Sequence, residues 1–221
     1  MTLNLLRYLG LLALVAGTNA YSQQSQASDA ACASLAKRSL PNTTITLAQV
    51  VAAGEFKAPT QGGQGGTGPQ QGGPQGAPGG GPGQGGPGGG APGGGPGGGV
   101  SASSLPAFCR IAASIKPTSD SDIRIEVFLP LSGWNGKFMG AANIGWGGSI
   151  QYGAMYLGLS QGYAVAATDT GHQGNDYGAF LIGHPEKLID YAYRADHEMT
   201  VKAKALVKAF YGADPDRKSV V

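Results

Sequence analysis

The chain has 221 residues, enough for one domain, with a formal net charge of +2 and only 13% charged residues. That balance, with no basic patch, excludes nucleic acid as a partner that composition would point to. Glycine, at 40 residues, far exceeds the usual share, and the excess is concentrated in one segment.

Met1–Ala20 has the parts of a secretory signal. Arg7 supplies the positive end, Leu9–Ala16 the apolar core, and Thr18-Asn19-Ala20 a small-residue cleavage site. The apolar run is too short to span a bilayer comfortably, and no cysteine sits at the cleavage site to carry a lipid. The mature protein is therefore expected to be secreted or periplasmic, with no stable membrane anchor. Tyr21–Ala30 is a small, polar leader. Ile45–Val51 reads as a short strand or extended segment ending at Gly54. The sequon Asn42-Thr43-Thr44 is short and common enough to arise by chance. Cys32 and Cys109 are the two cysteines. In an exported protein an even count suggests a disulfide, and the alternative is a pair of buried thiols.

Thr60–Gly99 is almost entirely Gly, Pro and Gln. It cannot bury enough apolar surface to offset the entropy of ordering, so disorder is expected there. Glycine does not keep the strict every-third spacing of collagen. Phe108–Ile115 and Asp122–Pro130 alternate apolar and polar residues around Pro117-Thr118-Ser119-Asp120. Ile123, Ile125, Val127 and Leu129 share one face and Arg124 and Glu126 the other, which predicts a half-buried strand pair.

The stretch Asn135–Gly174 organises the rest. Gly133-Trp134-Asn135-Gly136 is a turn, and Phe138–Ala142 a short strand. The glycine-rich loop Asn143-Ile144-Gly145-Trp146-Gly147-Gly148 follows. Ile150–Ser160 carries Tyr152, Met155, Tyr156 and Leu159 at helical spacing, with Gly162 as its stop. Tyr163–Thr168 is continuously apolar, as a strand buried on both faces should be. Strand, helix and strand at this spacing form a βαβ unit, so the fold class is α/β. Asp169-Thr170-Gly171-His172 follows the second strand at the end where open α/β sheets bind ligands. Asp169 and His172 read either as a catalytic pair or as a loop that shapes a pocket edge. His184-Pro185-Glu186 opens a last helix. Its apolar stripe is Leu188, Ala192, Ala195, Met199, Ala203, Leu206 and Phe210. His197, within it, reads as an ordinary core or surface residue. No His, Cys, Asp or Glu group has metal-ligand spacing, so no metal or other cofactor is expected in this chain.

Four stretches resemble the tannase and feruloyl esterase family: CASLAKRSLPNTTITLAQVVAAGEF, LPAFCRIAASIKPTSDSDIRIEVFLPLSGWNGKF, YAVAATDTGHQG and GHPEKLIDYAYRADHEMTVKAKALVKAFYG. Together they cover nearly all of Cys32–Gly212 outside the glycine-rich segment. The pairing of LPLxGWNGKF with TDTGH is the specific part. The resemblance implies a secreted serine esterase of the α/β-hydrolase fold with a lid domain, cleaving esters of gallic or hydroxycinnamic acids through a serine acyl-enzyme. It implies that the loop after Phe138–Ala142 supplies a backbone oxyanion donor. Gly145 is the expected residue, with Ile144 or Trp146 as neighbours, although relatives carry more glycine where this chain has Ala142-Asn143-Ile144-Gly145. Trp146 could also line the acyl pocket. In such a fold the acid and histidine follow the nucleophile, so Asp169 and His172 become pocket-edge residues rather than a catalytic pair.

The family's GCSxGG elbow does not occur in the sequence. The expected layout is a signal peptide at 1–20, an N-terminal segment of the esterase domain at 21–59, a disordered insertion at 60–99 and a partial hydrolase core at 100–215. The chain is expected to be the N-terminal part of the fold, truncated before the elbow, inactive and prone to aggregate. The catalytic serine, acid and histidine, and the family's lid-borne calcium, would lie outside it. The end, Asp216-Arg217-Lys218-Ser219-Val220-Val221, leaves the family pattern and matches one frame of a sequencing adapter, so 216–221 is expected to be non-native. The competing class is a non-enzymatic exported protein that binds surfaces through its Gly/Pro/Gln tract.

Overall fold

The computed structural model describes residues 28–60, 99–143, 145–174 and 176–216. Met1–Ala20, expected to be an export signal, nearly all of the Gly/Pro/Gln segment, Ile144 and most of the six-residue tail lie outside the described residues.

Five strands form one sheet: β1 (Thr43–Val51), β2 (Phe108–Ile115), β3 (Ile123–Pro130), β4 (Phe138–Ala141) and β5 (Ala164–Thr168), in the order β1-β2-β3-β5-β4. β1, β2, β3 and β5 pair antiparallel in turn, with Phe108 opposite Pro130 and Ile125 opposite Thr168. β4 and β5 run parallel, Phe138 beside Ala164 and Ala141 beside Ala167. The expected βαβ unit is thus present, with α2 (Tyr152–Ser160) between its strands. The other helices are α1 (residues 28–35), α3 (Pro185–Ile189) and α4 (Ala195–Tyr211), and a π-helical turn, Asp190–Arg194, joins the last two.

The sheet is covered on both sides. One face of β3 (Ile123, Ile125, Val127, Leu129) meets α4 through Met199, Ala203, Leu206 and Val207, with α1 adding Cys32 and Leu35. The other face packs Phe108, Phe128, Val165 and Ala167 against Phe56 and against Tyr152, Met155 and Leu159 of α2. All five residues of β5 are buried, and small Ala and Val side chains suit a central strand between two helix layers.

Two expectations change here. The outward face of β3 is solvated only at Arg124: Glu126 is 6% exposed and Phe128 is fully buried. Alternation predicts one wet face, but Glu126 takes two bonds from Arg110, with Nε to Oε2 at 2.8 Å, and the Tyr152 hydroxyl reaches its Oε1 at 2.9 Å. A paired carboxylate can be covered where an unpaired one cannot. The second change is in the last helix. Leu188 is 51% exposed and Ala192 is exposed, while Asp190 is completely buried. The π turn carries an extra residue, so Asp190 and Ala195, five apart, share the inner face. The stripe holds only from Ala195 onward.

Gly162 ends α2 at φ 79°, with its N–H on Leu159 O and the Tyr163 N–H on Gly158 O. A Cβ there would lie 2.6 Å from Gly133 O. Asn135 explains the neighbouring GWNG turn: its N–H donates to Gly162 O and its Nδ2 to Gln161 O, both at 2.9 Å. Cys32 and Cys109 form a disulfide, which ties α1 to β2.

Candidate active site

Because β4 and β5 are parallel, the loops at their C-terminal ends lie side by side. The loop after β4 is the glycine-rich one, and the loop after β5 is TDTGH. Asn143 joins them: its Nδ2 donates to Thr168 O at 3.3 Å and to Thr170 Oγ1 at 3.2 Å. Gln151, at the start of α2, donates back to Asn143 Oδ1 at 3.2 Å. Further along, Gly148 and Gly174 exchange backbone hydrogen bonds of 2.8 and 3.2 Å. A Cβ on Gly148 would fall 2.6 Å from both His172 O and the His172 ring, so this close approach requires glycine.

His172 is 6% exposed and lies face to face with Phe180 at 3.7 Å. Its Nε2 is 3.0 Å from Trp146 O, and its Nδ1 is 3.4 Å from Thr170 Oγ1. Tyr191, in the π turn, stacks on Trp146 at 5.1 Å and sends its hydroxyl to Gly145 O at 2.7 Å. Gly145 itself is left-handed, at φ 55°. Among the described residues, the N–H groups of Gly145, Trp146 and Gly147 have no hydrogen-bond acceptor. The loop therefore holds its carbonyls inward and keeps donors to spare.

Asp169 lies beneath this surface, 3% exposed. Its Oδ1 accepts from the Arg124 and Gly171 N–H groups at 2.9 and 3.0 Å, and its Oδ2 has no partner among the described residues. Burial pushes its pKa up to about 7, against the pull of those two backbone bonds. Neither of its bonds goes to the His172 ring. The next residue, Thr170, has φ 57°, which is strained for a β-branched side chain. Its N–H reaches Thr168 Oγ1 and its hydroxyl Asp169 O. A cleft of about 470 Å3 opens behind the two loops, with Arg124, Glu126, Gly148, Tyr152, Asp169 and Gln173 among its walls.

The structure thus places Gly145, Trp146 and His172 together, with Asp169 one layer below, and Ile144 lies outside the described residues. The Asp–His pair does not assemble as a dyad: the His172 ring nitrogens face Trp146 O and Thr170 Oγ1, and no hydrogen bond joins the ring to either Asp169 oxygen among the described residues. Sequence reasoning named Asn143 only as a position in the loop and missed Gln151, Phe180 and Tyr191. Tyr191 sits 46 residues from the carbonyl it grips, so nothing local announces it. None of the three histidines is hydrogen-bonded to a serine among the described residues, and no group of three or more His, Cys, Asp or Glu there could hold a metal. No helix among them is long and apolar enough to cross a membrane.

Residues 109–219 match the family model described as tannase and feruloyl esterase. An uncharacterized esterase of Xanthomonas campestris is 35% identical over 201 residues, which is 90% of this chain and 28% of that protein. A probable feruloyl esterase B-1 of Neosartorya fischeri is 39% identical over 111 residues, 50% of this chain and 21% of that one. The crystal structure of feruloyl esterase B from Aspergillus oryzae superposes with a TM-score of 0.63 at 28% identity, over 86% of this chain and 30% of that one. The chain therefore spans under a third of the length of these relatives. With its sheet order, its two strand-end loops and these matches taken together, the chain belongs to the tannase and feruloyl esterase family.

Proposed function

We propose that the chain supplies the oxyanion side of the active site of a secreted carboxylic ester hydrolase that acts on phenolic esters of the feruloyl or tannin type. One observation carries this reading. The glycine-rich loop sits at the C-terminal ends of the parallel strands, with the carbonyls of Gly145 and Trp146 engaged and the N–H groups of Gly145, Trp146 and Gly147 unengaged among the described residues. Such donors stabilise the negative charge that develops on a carbonyl oxygen during acyl transfer, and they need no reorganisation to do so. The relatives' printed names support the ester class. A serine nucleophile with its histidine and acid would come from sequence beyond the described residues, form an acyl-enzyme and release the acid to water. Asp169 and His172 would shape the pocket edge. The Cys32–Cys109 disulfide and the signal-like Met1–Ala20 support export. The surface-binding alternative rests on residues 61–98, which lie outside the described residues, and gains no support here.

The test is to express the complete open reading frame that contains this segment, beside the 221-residue chain alone. Methyl ferulate and methyl gallate are then assayed for acid release. Turnover by the complete product and none by the chain alone is the expected result. A complete product that contains a serine elbow and cleaves neither ester would rule the reading out.

A further inference from the structure

We infer that His172 and Tyr191 are positioning residues that turn the N–H groups of Trp146 and Gly147 outward as the loop's oxyanion donors. This deepens, and rests on, the esterase reading above. Tyr191 donates its hydroxyl proton to Gly145 O at 2.7 Å. Trp146 O can only accept, so the His172 Nε2, 3.0 Å away, must carry the ring proton. Nδ1 is then unprotonated; the Thr170 hydroxyl lies 3.4 Å away but gives its proton to Asp169 O at 2.7 Å.

Every described peptide bond is trans. In a planar trans peptide the C=O of one residue and the N–H of the next point in opposite directions. Drawing Gly145 O toward Tyr191 therefore points the Trp146 N–H away from it. Drawing Trp146 O toward His172 does the same to the Gly147 N–H. The two clamps come from one side, because the His172 and Tyr191 rings are themselves in edge contact at 5.6 Å. Both N–H groups consequently face the opposite side, and consecutive N–H groups facing one way form a concavity for an anion. The outer side is accessible, since Gly145 is exposed and Trp146 is 42% exposed. The donor thus moves one and two residues beyond the Gly145 N–H favoured by the sequence.

The clamps are also braced. Phe180 stacks on His172, Trp146 stacks on Tyr191, and Tyr191 meets Phe180 edge-on at 5.6 Å. The role of TDTGH is thereby defined: its histidine holds the neighbouring loop and takes no proton from a nucleophile.

The test uses the complete enzyme with Tyr191→Phe, His172→Leu and His172→Gln. Tyr191→Phe removes one oxygen and leaves a ring that can still stack on Trp146, so it decides the matter even if His172→Leu fails to fold. The expected loss in kcat on methyl ferulate is about 10- to 100-fold for Tyr191→Phe and His172→Leu. KM should move by less than about twofold. His172→Gln, which keeps a donor N–H, should recover part of the loss. An arylboronic acid, which forms a tetrahedral adduct with the serine, should lose affinity in step with kcat, while ferulate should not. Wild-type kcat in folded Tyr191→Phe, or a loss expressed in KM alone, overturns the inference and leaves the esterase reading standing. A complete wild-type enzyme that hydrolyses no ester overturns the esterase reading, and this inference with it.

Discussion

Among the described residues, Asp169 has two backbone donors on one oxygen and no partner on the other. Burial raises its pKa to about 7, well above that of an exposed aspartate. The folded protein therefore binds a proton more tightly than the unfolded chain does. The stability that Asp169 contributes is full below the unfolded pKa and is lost as pH rises through about 7. Asp169→Asn keeps an oxygen for the Arg124 and Gly171 N–H groups and never ionises. The melting temperature of the Asn variant relative to wild type should climb between pH 4 and pH 7 and then level off. The gain at pH 8 should be on the order of a few kcal/mol. Thermal unfolding across that range by circular dichroism checks it, and a constant difference between the two proteins would mean that Asp169 does not titrate there. A lone Asp after a strand carries no such message in the sequence. Its backbone partners are Arg124 and Gly171, and Arg124 lies 45 residues earlier.

The π turn is the element that departs furthest from its sequence pattern, and it also carries Tyr191 to the loop. Its anchor is Asp190, completely buried and bonded to Arg194 Nε at 2.5 Å, while Arg194 also reaches Glu186 at 2.7 Å. Asp190 crowds Gly171 as well: a Cβ on that glycine would sit 3.0 Å from the Asp190 Cβ. Asp190→Ala leaves Arg194 Nε without its acceptor while Nη2 keeps Glu186 and Ser121, and losing that charge-assisted bond at a guanidinium 17% exposed costs about 1.5–3 kcal/mol. Urea unfolding should show that loss in Asp190→Ala, and Asp190→Leu combined with Arg194→Met should recover most of it. If the double variant is no better than the single one, the pair fixes the turn's geometry beyond its charges. Periodicity in the sequence located β2, β3 and α2, continuous apolar runs located β4 and β5, and the partly alternating β1 read as a strand or extended segment. Periodicity erred at Leu188 and Ala192 because a π turn adds a residue without changing composition, and it erred at Glu126 because alternation cannot see an Arg110 on the next strand. The glycine loop and TDTGH were legible as positions. Their clamp was not, since it joins residues from β4, β5 and the π turn that only the parallel pairing and the helix offset bring together.

At the scale of the whole molecule, the disulfide and the Gly/Pro/Gln segment, expected from the sequence to be an insertion, act on the same stretch of chain. Cys32 and Cys109 are 77 residues apart, and residues 61–98 lie between them. Both flanks of the insertion return to the fold: Gly54 N–H donates to Leu105 O, Phe56 packs among Phe108, Phe128 and Tyr152, and Leu105 is 2% exposed. The fold therefore closes a long loop between Phe56 and Leu105. Each doubling of a loop costs about 0.6 kcal/mol, so replacing residues 61–98 with a linker of about five residues, which leaves the loop between Phe56 and Leu105 a little under two doublings shorter, should stabilise the reduced protein by about 1 kcal/mol. The oxidised protein should gain less. Its unfolded chain is already held in a ring by the cross-link, so part of the closure entropy is gone before folding begins. Four urea titrations, with and without the insertion and with and without reductant, separate the two effects. A gain equally large with the disulfide intact would mean that the cross-link does not restrain the insertion in the unfolded chain. A loss on excision would mean that the Gly/Pro/Gln segment makes stabilising contacts of its own, which its composition argues against.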